Sequence, residues 1–584
     1  MKIHLHQTHQ TIACFQDIQN YIFDVYTHQP VQGIHLFPES FLCGYPLMDL
    51  CLNYSFITSY QKHLQAISTW AQALPKDENI IFLMGGIKYT LTQDHLPKKI
   101  ENVIYLLKPG EELRDIYTKM LLPNYDIFDE KKYFDPGKTV GIYLFNNKNI
   151  ALMICEDMWP NASYELDPTT ELKKTGQPFD LVINLSASPY DLRKQDKRIM
   201  RAQEISHLLK APFFYVNRVG GEDEVLFDGQ SFAVNGNNIL TKLNRFKKDC
   251  VAIDLSTFKK TTYQNIDNDK VTTTWESLFV PNIITNSKKL PHLKPLTDHE
   301  CLEAIEALGF GVNEYARKCG FNKFLVALSG GIDSCLVLTI LKLHLTKTQN
   351  LEAIYMPSKF SGELSLIISK QLCQNLKIPF YILPIEDVKA TCKSLFTKHL
   401  NQDLQGLADE NIQSRLRSTL LLARANQTNA IAINTSNKSE IAVGYSTIYG
   451  DSVGAISLLG DVYKSEVYML AQYINKAHHN IIPLEAIQRP PTAELRDNQK
   501  DTDSLPPYDI LDVILEGILS YRFTAYQMIE MGLSAHHVLS VYKLYMNSEY
   551  KRSQFCPIIK IKPKSFGFGY RVPVAKDGAF YSDV

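Results

Sequence analysis

The sequence predicts two α/β units in tandem, the second a doubly wound parallel sheet. Two observations carry this. Strand-sized apolar runs alternate with polar helical stretches through the first half, and a second set of such runs alternates with amphipathic helices through the second. Between them, about 256 to 297, the text becomes polar, poor in long apolar runs and punctuated by proline. The boundary is placed near 290, with units at 1–275 and 297–584 and a linker at 276–296.

In order along the chain, "NIIFLMGGI" (79–87), "TVGIYLF" (139–145), "NIALMIC" (149–155), "DLVINLSAS" (180–188) and "PFFYVN" (212–217) read as buried strands. After the polar tract, "TDHECLEAIEALGFGVNEYARKC" (297–319) reads as a capped amphipathic helix. "FLVAL" (324–328), "LEAIYM" (351–356), "FYILPI" (380–385) and "AIAIN" (430–434) then read as strands with helices between them. No internal repeat or low-complexity tract interrupts this order.

Composition narrows the class. Of 584 residues 45% are hydrophobic, enough for large cores, and 61 Lys plus Arg balance 62 Asp plus Glu. That balance argues against a nucleic-acid or acidic-membrane partner recruited by charge. No window approaches the roughly 18 apolar residues of a membrane span, and the N-terminus carries no signal-peptide core, so the expected location is cytoplasmic. The 11 cysteines are scattered and form no C-x-x-C pair, against a disulfide framework or a thiolate zinc site.

"ALSGGIDS" (Ala327, Leu328, Ser329, Gly330, Gly331, Ile332, Asp333, Ser334) follows the strand "FLVAL" and opens the helix "DSCLVLTILKLHL". At a helix start, free N–H groups and the dipole make an anion site, and the two serines add hydroxyls. A Walker A loop would hold β- and γ-phosphates with G-K-[ST]. Here Ile-Asp-Ser replaces it, and Asp333 offers a carboxylate suited to Mg²⁺. Such a loop suits chemistry in which pyrophosphate is held and released.

The S-G-G-x-D-S motif resembles that of the ATP pyrophosphatases, and two further tracts narrow the resemblance. "NIQSRLRSTLLLARANQTNAIAINTSNKSEIAVGYSTIYGDSVG" (411–454) and "RPPTAELRDNQKDTDSLPPYDILD" (489–512) are similar to the core and acidic loop of NAD synthetases. The resemblance covers most of 297–584 and implies a Rossmann-like ATP pyrophosphatase fold. It further implies that Thr435, Lys464 and Thr492 join the loop in binding ATP. Asn411, Arg415, Glu440, Tyr445, Ser446, Thr447, Ile448 and a C-terminal lysine, Lys564 or Lys560, would serve deamido-NAD. Asp333 and Glu440 would hold Mg²⁺. Lys464 and Arg415 would neutralise the phosphate charge that no loop lysine meets.

In the first half, Glu39 in "LFPESFLCGYP", Lys119 in "YTKMLLPNYDIFDEKKYF" and Cys155 in "MICEDMW" lie in three strand-end segments. Glu, Lys and Cys in these contexts resemble the triad of the nitrilase superfamily, which implies an α-β-β-α sandwich and a thiol nucleophile. Glu39 would move the thiol proton, and Lys119 with a backbone N–H would stabilise the oxyanion. Glu130 would position Lys119 or the substrate. Glu156 and Asp157, as alternating neighbours in an extended segment, are read as supports. Resemblance to the glutaminase domains implies that Tyr125, Ser188 and Lys194 hold glutamine. "HLHQTHQTIACFQDIQN" departs from the turn expected after the first strand.

Together the halves resemble the glutamine-dependent NAD synthetase family, in which ammonia released from glutamine would amidate an adenylylated nicotinate. A homo-oligomer is expected. Another ATP pyrophosphatase amidotransferase is disfavoured by the absence of a G-x-C-x-G elbow and by Lys2 where an N-terminal cysteine would stand. A binding protein on two degenerate folds is disfavoured by the presence of both Cys155 and Asp333.

Overall fold

A computed structural model describes residues 1–28, 32–94, 96–160, 164–258, 261–264, 293–497 and 499–576. The chain divides into two compact units, Met1–Glu222 with Leu226–Phe279, and Asp223–Val225 with Val280–Val584. The linker expected at 276–296 lies outside the described residues except for 293–296.

The first unit holds two six-stranded sheets. One runs β14-β1-β2-β3-β4-β5, built from Asp249–Asp254, Lys2–Gln7, Gly33–Leu36, Ile80–Leu91, Pro97–Leu107 and Arg114–Thr118. The other runs β13-β12-β9-β8-β7-β6, from Asn238–Lys242, Phe232–Asn235, Phe213–Asn217, Leu181–Ser186, Lys148–Ile154 and Gly141–Phe145. Strands β10 (Val219–Glu222) and β11 (Val225–Asp228) form a hairpin.

Side-chain parity decides the layers. Ile81 and Leu83 of β3 pack with Ile150, Leu152 and Ile154 of β7 in a core between the two sheets. Their neighbours Ile80, Phe82 and Met84 face the helices Phe15–His28 and Tyr54–Ala73. Ala151 and Met153 face the helix Lys194–Leu209 on the other outer side. The result is α-β-β-α, as the resemblance implied. The runs from 79 to 217 all became strands. The histidine-rich start is β1, whose His4 and His6 are buried and turned away from the inter-sheet core; Ala13, at φ 60°, sits in the turn that follows.

The second unit is a five-stranded parallel sheet, β17-β16-β15-β18-β19, from Phe380–Ile382, Asn350–Tyr355, Lys323–Ala327, Ile431–Asn434 and Ile456–Ser457. Counted within the unit, the order is 3-2-1-4-5, so the direction of winding reverses between β15 and β18. A crevice at the carboxyl ends of these two strands is where such sheets bind ligands. The helix Asp298–Lys318 starts with a reciprocal cap between Thr297 and Glu300, as read from sequence. "FYILPI" forms a strand over only three residues, and the two-residue β19 had no apolar run to announce it.

Candidate active sites

In the first unit Glu39, Lys119 and Cys155 stand beyond the ends of β2, β5 and β7, and all are buried. Lys119 Nζ donates to Glu39 Oε1 at 2.7 Å and to Glu130 Oε2 at 2.8 Å. Burial acts to lower the Lys119 pKa, but the carboxylates of Glu130 and Glu39 outweigh it and the ammonium is held. Glu130, pushed up to about 7 by burial, also accepts from Tyr45 Oη at 2.9 Å. Glu39 is fixed from three sides: Oε1 accepts from Asn102 Nδ2 as well as Lys119, and Oε2 from the Ala187 N–H, each at 2.7–2.8 Å. With one donor only, Oε2 keeps a lone pair for a proton.

Cys155 carries φ 40° and opens a 3-10 turn, Cys155–Met158. Its N–H donates to Asn184 Oδ1 at 3.1 Å. Burial and the Glu39 carboxylate push the thiol well up, with Lys119 opposing. The turn corrects the reading of 155–157 as extended: Glu156 and Asp157 do support the site, but from a helical turn. Asp157 accepts from the N–H groups of Ile154, Met120 and Leu121 and from Tyr117 Oη, so one carboxylate ties the Cys155 turn to the Lys119 segment. Burial raises Asp157 to about 6 and Glu156 to about 8; the latter accepts from Tyr125 and Tyr164.

In the second unit a cavity of about 280 Å³ opens at the switch between β15 and β18. Gly330 turns at φ 77°, against the Ser365 carbonyl, and Gly331 caps the helix Ile332–His344. Asp333 Oδ1 accepts from Asn437 Nδ2 at 3.0 Å, and Oδ2 pairs with Lys464. Lys464 also lies 3.7 Å from Glu440, which burial and the Asp333 charge push up to about 8. Asp501, raised by burial, accepts from Tyr508 and Tyr445 beside this cluster.

Two family models match: NAD synthase over residues 304–555 and Carbon-nitrogen hydrolase over 32–263. A glutamine-dependent NAD(+) synthetase of Synechocystis is 36% identical, with 98% of each chain covered. The chain belongs to the glutamine-dependent NAD(+) synthetases. A second relative of that name, from Thermotoga maritima, is 33% identical over 92% of each chain. Among solved structures, the ADP complex of the Acinetobacter baumannii glutamine-dependent NAD+ synthetase aligns at TM-score 0.69 and 26% identity over 98% of both chains. The enzyme from Cytophaga hutchinsonii aligns at 0.76 and 19% identity over 100% of this chain and 99% of its own, a likeness of fold.

Against this family background, the residues expected to serve ATP lie together: Ala327 to Ser329, Gly331 to Ser334, Thr435, Lys464 and Thr492 all line the cavity, and Gly330 sits in the same turn. Glu440 and Tyr445 line it too. Asn411, Arg415 and Ser446 to Ile448 form an adjoining patch where Thr447 Oγ1 donates to Asn411 Oδ1 and Arg415 Nε to the Ile448 carbonyl. Arg415 does not line the cavity; Arg417, two positions on and so on nearly the opposite side of the helix Leu407–Thr428, does. Lys564 Nζ donates to the Gly569 carbonyl and Lys560 Nζ to that of Pro563; neither lines the cavity.

Of the residues expected to hold glutamine, Tyr125 donates to Glu156 and Lys194 Nζ to the Pro189 carbonyl, while Ser188 Oγ accepts from Arg198. Asn102, Asn184 and Arg489 were not found from sequence. Arg489 opens the 489–512 tract and Asn184 lies within the run 180–188, but a single polar residue in such a stretch does not announce its partner.

Proposed function

We propose that the chain carries out one reaction in two places. At Cys155, glutamine is hydrolysed: Sγ attacks the amide carbonyl, Glu39 takes the thiol proton and returns it to the departing ammonia, and water then releases glutamate from the thioester. Lys119 and a backbone N–H meet the oxyanion. Tyr125, Ser188 and Lys194 hold the glutamine. In the second unit the nicotinate carboxylate of deamido-NAD attacks the α-phosphorus of ATP, pyrophosphate leaves, and ammonia displaces AMP to give NAD. Asn411, Arg415, Glu440, Tyr445 to Ile448 and Lys564 serve the dinucleotide. The observation that carries this reading is the convergence of the Ser329–Ser334 loop, Thr435, Lys464 and Thr492 on one cavity at the switch point.

Asp333 and Glu440 suit Mg²⁺. They are hard oxygen donors that meet at Lys464, burial and then the Asp333 charge raise Glu440, and this ion needs few protein ligands. Bound there, it would neutralise charge on the pyrophosphate. Lys464 holds the same carboxylates and orients them.

Self-association in the cytoplasm completes the proposal. Ile382 on β17, Leu395 and Leu400 on the helix Glu386–Leu400 and Leu407 on the next helix are each more than half exposed, an apolar set suited to a second copy. Among the described residues no helix is long and apolar enough to cross a membrane.

The test supplies purified protein with deamido-NAD, ATP and Mg²⁺, and either glutamine or ammonium, with NAD as the readout. Cys155→Ala should lose glutamine-driven synthesis and keep most of the ammonium-driven rate. Loss of both rates in a folded variant would make Cys155 structural, and retention of both would move the nucleophile elsewhere.

A further inference from the structure

The loop has no lysine, and the cation nearest it in sequence logic, Lys464, is committed to Asp333 and Glu440. Pyrophosphate leaving this site carries several negative charges, more than the Mg²⁺ expected at Asp333 and Glu440 would neutralise, which leaves room for a side-chain cation. Arg489 supplies one. It follows the short helix Leu484–Gln488 and lines the cavity, about 160 residues beyond the loop in sequence. Its Nη1 donates to Ser365 Oγ at 2.8 Å and lies 3.5 Å from Glu494 Oε1. Its Nη2 lies 3.8 Å from where a Cβ on Gly331 would stand.

The anchor is part of the loop's own support. Ser365 is the residue whose carbonyl packs under Gly330, 2.5 Å from where a Cβ would be, and its hydroxyl donates to Glu494 at 2.6 Å. One edge of the guanidinium is therefore fixed from behind, while the other overhangs the turn whose N–H groups and helix dipole attract anions. Gly331 has no side chain, so that edge and the Ser329 hydroxyl, 3.3 Å from where a Gly331 Cβ would stand, both border the turn where a phosphate would sit.

We propose that Arg489 is the pyrophosphate-binding cation of this enzyme, replacing in space the lysine that the loop lacks in sequence. As the nicotinate oxygen bonds to the α-phosphorus, the bond from that phosphorus to the bridging oxygen breaks. Its electron pair goes to pyrophosphate, and Arg489 stabilises that charge by hydrogen bonds, without moving a proton. The assignment rests on the reading of the Ser329–Ser334 loop as the ATP site.

The experiment uses the full chain with ammonium as nitrogen source, and inorganic pyrophosphate and AMP as separate inhibitors. Arg489→Gln should lower kcat/KM for ATP and weaken pyrophosphate inhibition by roughly 10- to 100-fold, the range expected for a lost charge-assisted hydrogen bond. AMP inhibition should stay within about threefold. Arg489→Lys keeps a cation but loses the planar fork, so it should weaken pyrophosphate alone, by a smaller factor. It provides the same comparison if the glutamine variant does not fold. Unchanged pyrophosphate inhibition, an equal loss of pyrophosphate and AMP, or a wild-type chain insensitive to pyrophosphate would each overturn the proposal. Full ammonium-driven synthesis in Asp333→Asn would instead overturn the loop assignment beneath it.

Discussion

Lys119→Met tests the electrostatics of the glutamine site. Lys119 Nζ sits 2.7 Å from Glu39 and 2.8 Å from Glu130, with all three side chains under 5% exposed. At an effective dielectric of about 20, each contact is worth roughly 6 kcal/mol of Coulomb energy before the cost of burying the ions. Methionine fills a similar volume and leaves two carboxylates buried together with no cation. Removing one member of such a group costs about 3–5 kcal/mol.

The loss should depend on pH. Glu130 already sits at about 7, above its unfolded 4.5, and without Lys119, whose charge lowers it, it moves higher still. An acid raised in the folded state stabilises it fully below the unfolded pKa, and that stability is lost as pH rises through the folded value. The variant should therefore be near wild type around pH 4.5 and weakest above pH 7. Lys119→Met/Glu130→Gln, which removes one of the stranded charges, should recover stability at neutral pH while glutamine turnover stays down by about two to three orders of magnitude. Hydrogen exchange of amides in β4 and β5 reads the local stability, and glutamate release reads the chemistry. If the double variant is no more stable than the single one at pH 7.5, or if Lys119→Met keeps glutaminase activity within tenfold of wild type, the reasoning fails.

Asp333→Asn should abolish NAD formation from glutamine and from ammonium alike, since the loop loses its acid; near-normal ammonium-driven synthesis would refute that role. Gly85→Ala would place a Cβ 2.5 Å from Glu39 Cα, the Pro38 carbonyl and Ser40 N, so the backbone beneath Glu39 must shift. Glutamine-driven synthesis should fall by about 100-fold while ammonium-driven synthesis persists, as parallel rate measurements would show. Asn102→Leu removes a donor that fixes Glu39, so glutamine-driven synthesis should fall while ammonium-driven synthesis persists, and Asn102→Asp should not restore it. His63 is buried and its pKa lowered from 6.5 to about 4, so its neutral form belongs to the folded state. Stability should fall by about 3 kcal/mol as pH drops from 6.5 to 4, and His63→Met should flatten that part of an acid denaturation curve.

The sequence by itself determined the elements and the reactive groups, because both are written in short contiguous stretches. Continuous apolar runs made "NIIFLMGGI" and "NIALMIC" buried strands whichever sheet they joined, and "ALSGGIDS" between a strand and a helix specifies an anion-binding turn without reference to the rest of the chain. Glu39, Lys119 and Cys155 were legible for the same reason, each inside its own distinctive run. Only the tertiary structure decided how these groups are charged and held. Asn102 grips Glu39 from 63 residues away in sequence, Glu130 faces Lys119 rather than solvent, and Asp157 joins two strand ends through a turn that the extended reading of 155–157 misplaced. Arg489 reaches the loop across some 160 residues, while Arg415 points aside and Arg417 takes the cavity wall. An arginine or asparagine looks the same in sequence whether it meets water or a buried carboxylate; its partner is set by packing, and packing is a property of the folded chain.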